Sequence, residues 1–410
     1  MAYRPITIDA LRIGMHVAKL DVTWFRSPFL RHSFLIRTDE QIEKLRRAGV
    51  KHLKIDPARG LDVPGASSVP DKEVIIQPNP PPPASLPIVR SLAVMTQELQ
   101  AARAARQELE RTVHAAFSRI AETGIVDLVK AQHIIHEIDA VAKTLTTHAL
   151  FVAFSQGRDG DNSLNEHALA TCSFSMILAH AAAYDLFALQ DLATGALLHD
   201  IGLLQVPPTI LKRIHDTSAC LSEPHRRIYE SHARSGAILL EGQGGFSPAV
   251  EQIVAEHHAY MNGSGFPAET RGAFTSDMTR IVMVTDRYDE LLTGFGGASP
   301  LTPHQSLQRL YQEGHEGKYE NRLVSLFVKV MGIYPVYSYV ALTTGERAVV
   351  SVINSSKLHQ PIVTITHDPS GTPYIVPLVI DLANQDEQAP QRGICSVIGT
   401  IPTEIEQAIT

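Results

Sequence analysis

The stretch Gly195-Ala-Leu-Leu-His-Asp-Ile-Gly202 constrains this chain more than any other. Leu189, Leu192, Ala193, Ala196 and Leu197 recur before it at helical spacing. An adjacent imidazole and carboxylate, His199 and Asp200, therefore close a helix that reads as buried. A charge at the end of an apolar helix is costly unless something neutralises it. A hydrogen-bonded helix end is one solution. A divalent metal is another, because imidazole and carboxylate are both common ligands. The dipeptide alone does not choose between them.

Further histidines and aspartates fall on apolar helical faces downstream and upstream. His167 opens a helix in Leu164-Asn-Glu-His-Ala-Leu-Ala. His232 follows Ile228 by four residues and therefore lies on the same face. His257 and His258 end the helix Val250-Glu-Gln-Ile-Val-Ala-Glu, each four residues after an apolar partner, and Asp286 stands four after Val282. Five imidazoles and two carboxylates thus point inward from five helices. Each singly is more often a hydrogen-bonded core residue; together they concentrate more polar groups than a metal-free core accommodates. The set suffices for two divalent ions about 3.5–4 Å apart, a spacing suited to clamping a phosphate. With no cysteine among them, iron or manganese suits these ligands better than zinc.

The chain has 410 residues, enough for two to four domains, of which 44% are hydrophobic and 19% charged. Its net charge of −7 argues against a DNA, RNA or anionic-membrane partner. Cys172, Cys220 and Cys395 are odd in number and widely spaced, which points to a reducing compartment. The N-terminus lacks the apolar core of a signal peptide, and no run of about 18 apolar residues occurs. A cytoplasmic location is expected.

The expected class is mainly α, an all-helical core domain between a small α/β N-terminal domain and a small antiparallel β module. Residues 1–65 form the first, with a capping box at Thr38-Asp-Glu-Gln41, a returning strand at Val50–Ile55, and Trp24 as a core anchor. Residues 66–90 are a proline-rich linker. The helical domain spans 91–330. From 331 to 410 the period changes to two, with hairpin turns at Thr343–Glu346 and Asp368–Gly371. Leu92, Met95, Leu99, Ala102, Arg106, Leu109, Val113, Ala116 and Ile120 step by three and four. That seam either joins two copies into a homodimer, with Arg106 interrupting it, or packs within its own domain.

The order His167, His199-Asp200-Ile201-Gly202, His232, His257-His258, Gly263-Ser-Gly-Phe-Pro267, Asp286 resembles the HD-GYP subgroup of the HD phosphohydrolase superfamily. The first 60 residues resemble a small domain of unassigned function that often precedes it. The resemblance implies an HD-type core and hydrolysis of cyclic di-GMP to pGpG, in some members on to GMP, with a bridging hydroxide as nucleophile. It implies that His167, His199, Asp200 and Asp286 hold one ion, and that Asp200, His232, His257 and His258 hold the other. Asp200 and His199 would be the catalytic pair, and Gly263, Gly265, Phe266 and Pro267 a substrate or partner contact.

The chain departs from that family pattern at several places. Leu203 stands where the family usually has lysine, removing a charge of the kind that stabilises phosphate oxygens. Phe266 replaces the tyrosine of Gly-Tyr-Pro. Thr293–Pro300 contains no counterpart of the basic Arg-Pro-Tyr-Arg/Lys run that grips phosphates. Ser163 stands where some members carry a carboxylate for a third metal. The alternative to an enzyme is a module that binds cyclic di-GMP, or a partner such as a diguanylate cyclase domain, without hydrolysis. His180, His215 and His225 lack inward partners by pattern and are assigned to the surface.

Overall fold

The computed structural model describes residues 4–20, 34–36, 38–47, 51–57, 59–61, 90–155, 164–184, 186–215, 222–268, 270, 275–295, 297, 299–386 and 388–402. Trp24, Cys220, Ser163 and the proline-rich stretch up to residue 89 lie outside them. The chain divides into two units, residues 1–87 with 179–185, and residues 88–178 with 186–410.

In the first unit, β1 (Arg4–Thr7), β2 (His16–Leu20), β3 (Phe34–Leu35) and β4 (His52–Ile55) pair antiparallel in the order β1-β4-β2-β3. Helix α1 (Asp39–Arg47) begins where the capping box places it, and the Thr38 N–H donates to Gln41 Oε1 at 3.3 Å. Strand β4 alternates as its sequence requires. Leu53 and Ile55 point inward and join Met15, Val17, Ile36 and Leu45 in one apolar cluster.

The second unit begins with helices α2 (Leu92–Thr123), α3 (Leu128–Thr144), α4 (Thr147–Ser155), α5 (Leu164–Ala181) and α6 (Leu186–Leu198). After a 3-10 turn at Ile201–Gln205 come α7 (Pro208–His215), α8 (Glu223–Glu230), α9 (His232–Gln243) and α10 (Pro248–Glu256). Helices α11 (Asp277–Thr293), α12 (Pro303–His315) and α13 (Asn321–Met331) complete the layer. Phe151 of α4, Phe174 of α5, Tyr288 of α11 and Phe327 of α13 meet in an aromatic core with ring centroids 5.0–5.5 Å apart along the chain of contacts. That core fixes α5 against α11, the two helices carrying His167 and Asp286.

The heptad seam of α2 is used inside the chain. Leu99 and Ala102 are fully buried, and α2 packs along α3 and α4. Phe117 rather than Ala116 occupies the seam near its end. Arg106 does not interrupt the seam but lies in it: its Nη1 donates to Ala153 O of α4 at 3.0 Å, and its Nε to Glu110. An arginine with both ends partnered is tolerated where a bare one is not. Of the two readings of this seam, packing within the chain is the one seen, and its residues are already covered.

The C-terminal module is a five-stranded antiparallel sheet. Strands β5 (Ser338–Leu342), β6 (Arg347–Val352), β7 (Ile362–His367), β8 (Pro373–Asp381) and β9 (Ile394–Thr400) run in the order β8-β7-β6-β5-β9. Both hairpins stand where their turns place them. Strand β9, unforeseen because Ser396 and Gly399 dilute its pattern, returns to pair with β5. The class is as expected, mainly helical with a small sheet at each end.

Since Leu99 is enclosed within one chain, Leu99→Ala lowers stability by about 2–5 kcal/mol, the cost of a core cavity. Urea denaturation followed by circular dichroism measures it. A midpoint independent of protein concentration separates in-chain packing from a dimer seam.

Candidate metal centre

The seven residues singled out in the sequence meet in one buried place, carried by α5, the residues just past the ends of α6 and α10, the start of α9, and α11. His199, His232 and His257 are fully buried, and His167, Asp200, His258 and Asp286 nearly so. Their ligand atoms form two groups, Asp200 with His232, His257 and His258, and His167 with His199 and Asp286. Asp200 stands between the groups. Its Oδ1 lies 3.0 Å from His232 Nε2 and 3.3 Å from His257 Nε2, while its Oδ2 lies 3.6 Å from both His167 Nε2 and His199 Nε2.

Helix ends produce this convergence. A helix terminates with carbonyls that no amide of its own can reach. His199 Nδ1–H donates to Ala196 O at 2.7 Å, His257 Nδ1–H to Val254 O at 2.9 Å, and His232 Nδ1–H to Tyr229 O at 2.7 Å. Each imidazole so ties down a carbonyl near a helix end, and its Nε2 lone pair is turned inward. The reason given above for His232 was incorrect. Ile228 is 40% exposed, and α8 ends before His232, which begins a separate helix, α9.

Two close approaches hold the frame. A Cβ on Gly202 would stand 2.0 Å from His232 O, so only glycine allows the 3-10 turn to lie against α9. A Cβ on Gly265 would stand 1.8 Å from His258 O. The Gly263–Pro267 loop thus folds back on the His-His pair. Phe266 N–H donates to His258 O at 3.0 Å, and the Phe266 ring lies 4.4 Å from that of His258. Gly263 and Ser264 are exposed at the tip.

Sequence reasoning missed Asp289. It is fully buried, and its Oδ2 accepts from His167 Nδ1–H at 2.7 Å. Its position three residues after Asp286 puts it on the same helix face, a signal available in the sequence. Glu290 is also buried beside the site. Burial and the neighbouring Asp286 raise its carboxyl above the usual range, and Arg287 donates to it at 2.8 Å. His225, assigned above to the surface, is half-buried with its Nδ1 enclosed and unpartnered. His180 is exposed; the side chain of His215 lies outside the described residues.

The electrostatics call for positive charge. Neighbouring histidines hold Asp200 and Asp286 well below the usual carboxylate range, although burial acts in the opposite direction. With Nδ1 committed as donor, the Nε2 atoms of His167 and His199 face each other at 3.1 Å and those of His232 and His257 at 3.3 Å. While the rings are neutral, lone pairs and carboxylate oxygens share one space with no donor among them. Asp200 Oδ1 and both ring nitrogens of His258 are enclosed without a hydrogen-bond partner. Burial, more than any neighbour, keeps His257 and His258 below the normal imidazole value and hence neutral. The donor set is the chemistry of a site for divalent ions. Without them, protons must substitute: burial opposes the charge on His167, but Asp286 and Asp289 lift it to about 10.

Residues 162–323 match the HD domain family, and residues 3–131 match a domain of unknown function, DUF3391. The latter match extends past residue 65 into α3. The cyclic di-GMP phosphodiesterase PA4108 of Pseudomonas aeruginosa is 25% identical over 379 residues, covering 92% of this chain and 88% of that one. A cyclic di-GMP phosphodiesterase of Vibrio cholerae is 24% identical over 202 residues, 46% of this chain and 40% of its own. The cyclic di-GMP phosphodiesterase response regulator RpfG of Xanthomonas campestris is 31% identical over 120 residues, 29% of this chain and 31% of its own. Among solved structures, the HDG"Y"P protein Bd1817 of Bdellovibrio bacteriovorus covers 80% of this chain and 98% of its own, at 16% identity and a TM-score of 0.45. No helix among the described residues is long and apolar enough to cross a membrane.

Two outcomes follow from this geometry. Asp289→Asn weakens metal affinity about 10–100-fold, as loss of an outer partner of a ligating imidazole does, with helix content unchanged. Competition against a chromophoric chelator measures it. Second, metal uptake at neutral pH expels the proton that His167 holds up to about pH 10. For that proton, affinity therefore rises about tenfold per pH unit and levels off as pH passes about 10. In the metal-free protein the same proton stabilises fully below about 6.5, and its contribution is lost as pH rises through 10. Titration calorimetry in buffers of different ionisation enthalpy counts the proton.

Proposed function

We propose that this chain, which carries an HD domain behind a DUF3391 domain, is a metal-dependent phosphodiesterase that opens cyclic di-GMP to linear pGpG, GMP or both. The observation that carries the reading is the buried constellation of inward Nε2 atoms and carboxylate oxygens, gathered in two groups about Asp200. The relatives named as cyclic di-GMP phosphodiesterases support the substrate.

In this reading His167, His199, Asp200 and Asp286 hold one ion, and Asp200, His232, His257 and His258 the other. The two oxygens of Asp200, turned to opposite groups of imidazoles, suit it to the shared position. An all-nitrogen-and-oxygen donor set favours iron or manganese over zinc. Bound divalent ions supply positive charge to the phosphate oxygens and lower the pKa of the attacking water.

The remaining chemistry belongs to the protein. Asp289 holds His167 in one tautomer and orientation, so that the ring does not reorganise when charge develops nearby. The carbonyls of Ala196, Tyr229 and Val254 do the same for His199, His232 and His257. Phe266, tilted against His258, covers the second group and would present an apolar surface to the substrate. Gly263, Gly265 and Pro267 shape the loop that positions it.

The test is purified protein reconstituted anaerobically with Fe(II), or with Mn(II), and incubated with cyclic di-GMP, with products separated by chromatography. Appearance of pGpG or GMP is expected, with a fall of at least about a thousandfold in Asp200→Ala. No product from fully loaded protein, or hydrolysis that survives Asp200→Ala, overturns the assignment.

A further inference from the structure

Two departures noted in the sequence, Leu203 and the stretch from Thr293 to Pro300, come together in space. Leu203 and Phe295 belong to one apolar cluster with Val206, Ile210 and Ile214. Leu203, Val206, Ile214 and Phe295 of that cluster line a cavity of about 290 Å³, walled also by Leu211 and Tyr229. None of the described residues lining it is charged. The cavity adjoins both halves of the metal centre. The Phe295 ring lies flat against His167, centroids 4.0 Å apart and planes 13° from parallel, while the Tyr229 ring stands 5.1 Å from that of His232.

We infer that this cavity is a subsite for an uncharged, flat ring of a phosphoester substrate, seated beside the metal centre. The inference rests on the phosphodiesterase reading and narrows its substrate class. A phosphate placed against leucine, isoleucine and phenylalanine would lose its hydration with nothing in return. A ring gains from the same wall, because burial of apolar area is favourable at about 25 cal/mol per Å² and aromatic faces add contact of their own. The volume suits it, since a dry apolar cavity of about 150 Å³ already admits benzene. One nucleobase of a cyclic dinucleotide belongs to this class; the second, non-reacting phosphate does not and stays in water.

The experiment compares two phosphonates of equal charge, phenylphosphonate and methylphosphonate, binding to manganese-loaded protein by isothermal titration calorimetry. Phenylphosphonate is expected to bind at least about tenfold more tightly. In Leu211→Glu, at a half-buried position, the ratio of the two affinities falls below about twofold, with manganese content and thermal melt matched to the parent. Leu211→Gln, which adds no charge, lowers the ratio to a third or less and serves if the glutamate variant melts early. Equal affinities in the parent, no binding of either phosphonate, or a ratio that persists in both variants overturns the subsite. Hydrolysis of cyclic di-GMP without a phenyl preference overturns the subsite alone. A phenyl preference without that hydrolysis supports the subsite and removes the cyclic di-GMP assignment.

Discussion

The structure depends on a repulsion. Five imidazoles and two carboxylates crowd a space from which water is almost wholly excluded, and while the rings are neutral none of their inward atoms can donate. Protein interiors rarely tolerate a single unpaired acceptor, let alone a cage of them. Positive charge at the centre converts the cage from the costliest part of the domain to one that draws five helices together. In the metal-free chain, protonation of His167 between Asp286 and Asp289 performs part of that task.

The surrounding packing keeps the cage from relaxing. Phe151, Phe174, Tyr288 and Phe327 lock α5 to α11 on one side. On the other, Gly202 lets the turn after α6 approach α9 so closely that no larger residue fits. Such contacts are stiff, because close-packed interiors do not yield by fractions of an ångström without cost elsewhere. The ligands cannot turn to solvent individually; they stay buried or the helices part.

Much of this was legible in the sequence, and for physical reasons. Period and capping gave the helices and hairpins, since apolar recurrence and turn chemistry are local. All seven candidate ligands were identified from their inward faces, but the argument for His232 failed because a continuous helix was assumed where the chain turns at Ser231. Asp289 was overlooked because a carboxylate that serves another ligand looks like any polar residue on a helix. The in-chain use of the α2 seam could not be read at all. A heptad reports that a face is buried, not what covers it, and only the contact with α4 decides that. Likewise Leu203 and Phe295 are 92 positions apart, and nothing local announces that they border one cavity.

The imidazoles of His199, His232 and His257 each fasten a carbonyl near the end of α6, α8 or α10 while offering the opposite nitrogen to the centre. Termination of the helices and construction of the site are thus one act performed by the same three rings. A descendant that abandoned metal chemistry could not simply discard them. It would inherit frayed ends at the heart of the domain, and selection for solubility would favour other polar side chains able to tie those carbonyls. Histidine-poor, inert copies of this architecture should therefore still carry asparagine, serine or a similar fastener at the three places, a scar of the vanished ions written in the grammar of helix ends.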